Sequence, residues 1–114
     1  MILNDNIVTF EDFAKVDLRI GTIIEVTDFP EAIRPAYQLL IDFGHLGIKK
    51  TSAQITTRYK KDDLMNRQII AVVNFPRKQI AKFMSDCLIL GAVNGSDVIL
   101  LNPENPVKNG AIVA

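Results

Sequence analysis

Arg77, Lys78 and Lys82 lie within six positions of one another in "AVVNFPRKQIAKF" (Ala71 to Phe83), directly after an apolar run and a proline. Cations at that density suit one kind of chemistry, the neutralisation of phosphate or carboxylate. They belong to a larger pattern. From Lys49 to Lys82 there are nine basic residues against two acidic ones, while Met1 to Ile48 carries three against eight and Phe83 to Ala114 one against three. A chain of zero formal net charge is therefore +7 in its middle. Segregated charge creates a local positive field that attracts anionic partners, nucleic acid above all. The alternative is a solvated surface with chance clustering.

Other chemistries find no residues to perform them. Cys87 is the single cysteine and His45 the single histidine, so neither a disulfide nor a Cys/His metal cluster is expected. Cys87 opens an apolar strand and reads as a small buried hydrophobe. Asp62 and Asp63 are adjacent and cannot share a face. There is no Gly-rich phosphate loop and no nucleophile motif, so an enzyme is not expected, nor a cofactor. The 114 residues fit one domain that buries roughly two thirds of its unfolded surface. No apolar run approaches the ~20 residues of a membrane span, and "MILNDNIVTFEDF" lacks the basic region and cleavage site of a signal peptide. A cytosolic protein without membrane insertion is expected.

The elements that must position the cations read as mostly β. Thr9 with Asp12 looks like a capping-box variant opening a short helix, "TFEDFAKV", with Phe10, Phe13 and Ala14 on one side. A helix so short must pack on its own barrel or on a second subunit. "LRIGTIIEVTDF" alternates, placing Leu18, Ile20, Thr22, Ile24 and Val26 on one face, and Gly21 in its interior suggests a bulge or bend. Two prolines turn the chain into a second strand with Tyr37, Leu39, Ile41 and Phe43 on one face. A reversal near Gly44 and Gly47 leads to "IKKTSAQI", a third strand in which Lys49 and Lys50 point to opposite faces. "TTRYKKDDLMNRQ" holds a short helix or a pair of turns. "IIAVVNF" is a fourth strand, and "CLILGAV" and "DVILL" are a fifth and sixth around the turn "NGSD". The tail ends in a last short strand.

Five or six strands with a helix between the third and fourth fit a five-stranded Greek-key barrel of the oligonucleotide/oligosaccharide-binding (OB) kind. In that architecture ligands lie across the second and third strands, flanked by the loops between strands one and two and between strands four and five. Arg34 falls in the first loop and Arg77, Lys78 and Lys82 in the second, with one of Lys49 and Lys50 on the face between.

"VDLRIGTIIEVTDFPEA", "KKTSAQITTRY" and "AVVNFPRKQIAKFMSDCLILGA" together resemble the CsaA proteins, small members of the wider tRNA-binding domain family that includes the appended domain of many methionyl-tRNA synthetases. The resemblance spans nearly the whole chain. It implies an OB fold, a homodimer made by elements outside the barrel and no catalysis. It also implies an export-related chaperone of unfolded preproteins, with a capacity for tRNA. Asn74 and Ser85 match an asparagine and serine of the wider family's motif. Cys87 and Leu88 replace its glycine and methionine, Gln79 stands where a lysine is typical, and Lys82 stands where the CsaA branch tends to have glycine.

Two ligands ask different things of one groove. For tRNA, Arg34, Lys49, Lys50, Arg77, Lys78 and Lys82 are candidate phosphate contacts, with Ser52, Asn74 and Ser85 as hydrogen-bonding candidates. For a peptide, Phe29, Phe75, Ile80, Phe83 and Met84 are candidates to line an apolar cleft, "IAKFM" being read as a short loop beside it. Ordinary core or dimer packing is the alternative for those residues. Gln54 is either a groove residue or a tie at the strand end. The barrel is expected over about 16–92. The segments 1–15 and 93–114, including "TFEDFAKV", "DVILL" and "AIVA", are expected outside it as dimerisation extensions. The expected partners are a second copy of the chain, unfolded preproteins, the export machinery and tRNA.

Overall fold

The computed structural model describes residues 6–114. The helix α1 (Phe10–Ala14) starts where Thr9 caps it: the Asp12 N–H donates to Thr9 Oγ1 at 3.1 Å and the Thr9 N–H donates to Asp12 Oδ2 at 3.3 Å. It buries none of its residues.

β1 (Leu18–Asp28) is the hub of the main sheet. Its first half pairs antiparallel with β4 (Gln68–Val72) and its second half with β2 (Tyr37–Asp42), which pairs in turn with β3 (Ile48–Ala53). β7 (Leu88–Ile89) adds to β4, giving the order β3-β2-β1-β4-β7. α2 (Lys61–Leu64) lies between β3 and β4 and buries Leu64 completely in the core. The core gathers Ile23, Tyr37, Leu39, Ile41, Ile69 and Ala71 from three strands, with Phe43 just past β2, Ile55 and Tyr59 from the β3–β4 connection and Leu100 from β9. This is the mostly β OB-type architecture expected. No helix among the described residues is long and apolar enough to cross a membrane.

The unbroken alternation expected along β1 does not occur. Ile23 opposes Ile41 and Glu25 opposes Leu40, so Ile24 is the extra residue of a β-bulge. The bulge reverses the pattern, leaving Ile23 fully buried and Ile24 exposed, while Val26 returns to the core. The bulge lies three residues beyond Gly21. Gly21 serves close packing instead: a Cβ there would lie 2.6 Å from Ile41 Cγ2 and 2.7 Å from the Phe43 ring.

Three further elements differ from expectation. The segment read as a loop is a hairpin, β5 (Lys78–Ile80) and β6 (Phe83–Ser85), turned by Ala81 at φ 54° and Lys82. "CLILGAV" divides into β7 and β8 (Gly91–Asn94), and β8 forms a second hairpin with β9 (Asp97–Leu100) around Gly95 and Ser96. β10 (Ile112–Val113) is not outside the barrel sheet: it pairs with Leu18 and Arg19 of β1. Two backbone bonds extend this junction, from Ile20 N–H to the Ala111 carbonyl at 3.0 Å and from Gly110 N–H to the Ile20 carbonyl at 2.7 Å.

The barrel is nearly closed. No ladder joins β3 to β7 among the described residues; the seam is held by Thr51, whose hydroxyl donates to the Cys87 carbonyl at 2.7 Å and lies 3.0 Å from Ser85 Oγ.

Candidate ligand groove

The split seam opens into a cleft of about 610 Å³. Thr51 to Ile55 form one wall; Cys87 to Ile89 with Val98 and Leu100 form the other; Phe75, Pro76, Lys78 and Ile80 approach from the hairpin side. Phe75 is 51% exposed and Leu88 48%, although both are large and apolar, so the cleft presents hydrophobic surface to solvent.

The hairpin determines which candidates reach it. Cross-strand partners share a face, so Lys78, Ile80, Phe83 and Ser85 point one way and Gln79 and Met84 the other. Ile80 and Lys78 line the seam cleft, as do Phe75, Ser52 and Gln54; Met84 lies on the opposite hairpin face. Phe83 stands further along, its ring 5.4 Å from that of buried Phe29. Together with Glu31, Gln38, Ala81 and Lys82 these two rings border a second hollow of about 630 Å³ beside the β1–β2 connection. The peptide candidates therefore divide between two neighbouring depressions.

The cations divide as well. Lys50 faces the hairpin, with Nζ 5.3 Å from the Phe83 ring centroid, an arrangement that holds the ammonium over the ring's negative face. Lys49 shares the opposite face with buried Thr51. Arg77 Nε lies 2.9 Å from Asp86 Oδ1, so part of its charge is matched within the chain. The angle between them is too poor for a hydrogen bond, and Asp86 Oδ1 stays buried without one. Outside the groove, Arg58 is bound bidentate by Asp97 at 2.8 Å and Lys61 pairs with Asp28 at 3.0 Å. Among the described residues Arg34, Lys78 and Lys82 are exposed and have no carboxylate within ion-pair distance.

Two polar candidates bond internally. Ser85 is buried, and its hydroxyl is within 3.2 Å of the Cys87 carbonyl as well as beside Thr51. Asn74 fixes the link between α1 and β1 through both ends of its amide. Burial, reinforced by the nearby Asp86 carboxylate, pushes the Cys87 thiol up to about 12, which leaves it neutral and poorly nucleophilic. No group of three or more His, Cys, Asp or Glu among the described residues is placed to hold a metal.

The sequence alone does not mark Asp86 or Thr51 as groove residues, and it marks Leu88 only as a departure from the family motif. Asp86 was the most findable, as the lone charge at the mouth of the apolar run "CLIL".

The comparisons with known proteins agree with this geometry. Residues 18–112 match the family model described as "Putative tRNA binding domain". Curated relatives include the methionine–tRNA ligases of Pyrococcus horikoshii, 41% identical over 93% of this chain, and Thermococcus onnurineus, 38% identical over 91%. This chain spans only 14% of either ligase. Among solved structures, the chaperone CsaA of Bacillus anthracis superposes with a TM-score of 0.91 at 50% identity, covering 95% of this chain and 99% of that one. The CsaA chaperone protein of Picrophilus torridus gives 0.89 at 54%, covering 95% and 100%. The chain thus belongs to the tRNA-binding domain family, within its CsaA branch.

Proposed function

We propose that the chain is a non-enzymatic chaperone that holds unfolded preproteins or peptides for export, with the seam cleft as its binding site. The observation that carries this reading is the apolar lining of the cleft by exposed Phe75 and Leu88 with half-buried Ile80. A holdase needs accessible hydrophobic surface that accepts varied side chains. The full-length likeness to two proteins named chaperones points the same way. The reading carries with it a cytoplasmic location and the export machinery as a further partner.

A second reading rests on the cations. Lys50, Lys78 and Lys82 lie along the two depressions, where a tRNA backbone could meet them, and the family match supports it. Titration with an unfolded preprotein and, separately, with bulk tRNA at low and near-physiological salt decides between them. Peptide binding that survives salt while tRNA binding collapses supports the chaperone. The reverse puts tRNA first.

The working unit in this proposal is a homodimer. α1 buries nothing in its own subunit, leaving Phe10 82% and Phe13 43% exposed, and Val93, Ile99 and Leu101 are exposed on and after the β8–β9 hairpin. Such surface suits an isologous twofold interface, and two grooves on one dimer would bind a long chain more tightly than either alone. Sedimentation at micromolar concentration checks it, a stable monomer being the adverse result.

A further inference from the structure

The wall of the seam cleft contributed by β3 offers backbone as well as side chains. On the side of β3 away from β2, the Asp86 N–H donates to the Lys50 carbonyl at 2.7 Å, and the Lys50 N–H donates to Asp86 Oδ2 at 3.3 Å. In an antiparallel ladder the N–H and C=O of one residue point to the same side, and the side alternates along the strand. With Lys50 turned away from β2, Ser52 is turned away too. Ser52 lines the cleft, and neither its N–H nor its C=O meets a partner strand among the described residues. Its carbonyl lies 3.2 Å from the neighbouring Thr51 hydroxyl, whose one proton goes to the closer Cys87 carbonyl at 2.7 Å.

Asp86 thus starts a strand along the edge of β3 that the chain abandons after one rung. Cys87 turns its carbonyl to the Thr51 side chain, and Leu88 and Ile89 pair with β4 instead. Beyond that point the β3 edge is open, and it opens into apolar surface. A bare strand edge is ordinarily covered or blunted because it templates pairing with another chain.

We propose that an extended polypeptide segment binds by strand addition to the β3 edge at Ser52, placing alternate apolar side chains against Phe75, Ile80 and Leu88. This deepens the chaperone reading and rests on it. The occupant is a polypeptide because Ser52 presents one donor and one acceptor at strand spacing, which another backbone complements; phosphates offer acceptors only. Main-chain bonding also explains how varied sequences can be held: the backbone is common to all of them, and the apolar walls demand only alternation.

The test uses the full chain and an unfolded peptide of about eight residues, a typical strand length, alternating leucine and serine. Two further peptides carry N-methyl groups on the leucine amides or on the serine amides. Strand addition predicts that exchange of the Ser52 amide hydrogen slows at least tenfold when peptide saturates. It also predicts that one N-methylated peptide binds at least tenfold more weakly and the other nearly as well as the parent. Ser52→Pro, which removes only an N–H facing away from β2, should keep the fold by circular dichroism and weaken the parent peptide. Peptide binding with Ser52 exchange unchanged and both N-methylated peptides equally effective overturns strand addition and leaves the chaperone reading standing. No peptide binding at all overturns both.

Discussion

Asn74 and Asp17, 57 positions apart in sequence, are joined by a hydrogen bond of 2.9 Å from the Asp17 N–H to Asn74 Oδ1. The same amide donates from Nδ2 to the Lys15 carbonyl at 2.7 Å. The end of β4 therefore sets the direction in which α1 leaves the barrel. Asn74→Ala should cost about 1 kcal/mol for each bond lost and release α1. Asn74→Asp should be worse, since a carboxylate oxygen would then face the Lys15 carbonyl. Urea unfolding measures both, and equal stability of all three proteins would contradict the clamp.

Gly21→Ala should destabilise the barrel by about 1–3 kcal/mol, the usual result of forcing a methyl into a filled core. The added carbon would meet Ile41 and Phe43, both fully buried. An unfolding midpoint unchanged from the parent's would show that the two side chains can move aside.

Phe10→Glu should convert the proposed dimer to monomer without unfolding the barrel, because Phe10 touches solvent and not the core of its own chain. Sedimentation velocity reads the outcome. A dimer unaffected by the change moves the interface elsewhere.

Lys78→Ala with Lys82→Ala should flatten the salt dependence of tRNA binding. Each phosphate contact contributes roughly 0.7–0.9 to the slope of log K against log salt, so the pair should lower it by between about one and two. An unchanged slope would remove both lysines from the phosphate path.

Cys87 should resist alkylation in the folded protein at pH 8 and react readily once unfolded. Its thiol is held near 12, against 9.0 when free, chiefly by burial. The folded state keeps its proton where the unfolded state loses it, so the thiol's stabilising contribution is complete below about pH 9 and declines as pH rises towards 12. Stability of Cys87→Ala should fall less steeply across that window than stability of the parent.

Local patterns carried much of the fold. β2 shows its buried face as Tyr37, Leu39 and Ile41, continued by Phe43 just past its end, because the strand is regular and one-sided. β1 misleads beyond Ile23, since a bulge inserts one residue without any change in composition. The β5–β6 hairpin lacks the Asn-Gly or Asp-Gly signal of a tight turn; Ala81 takes the positive φ in its place. "AIVA" is too short to show a period, and its partner strand lies at the other end of the chain. At the groove, the excess of positive charge was legible, but its distribution was not. The pairing of Arg58 with Asp97 and the use of Asn74 as a clamp depend on contacts distant in sequence, and that of Arg77 with Asp86 on the unforeseen β5–β6 hairpin between them.

The pairing of β10 with β1 ties Val113 to Leu18. During synthesis the chain emerges from its N-terminal end, so β1 can find β2 and β4 early but must wait for β10 until residue 113 has left the ribosome. Until then the Leu18 and Arg19 edge of β1 is itself an unpaired strand. A nascent barrel of this design passes through a stage in which it carries the same liability as the clients it is proposed to hold, and the arrival of β10 ends that stage.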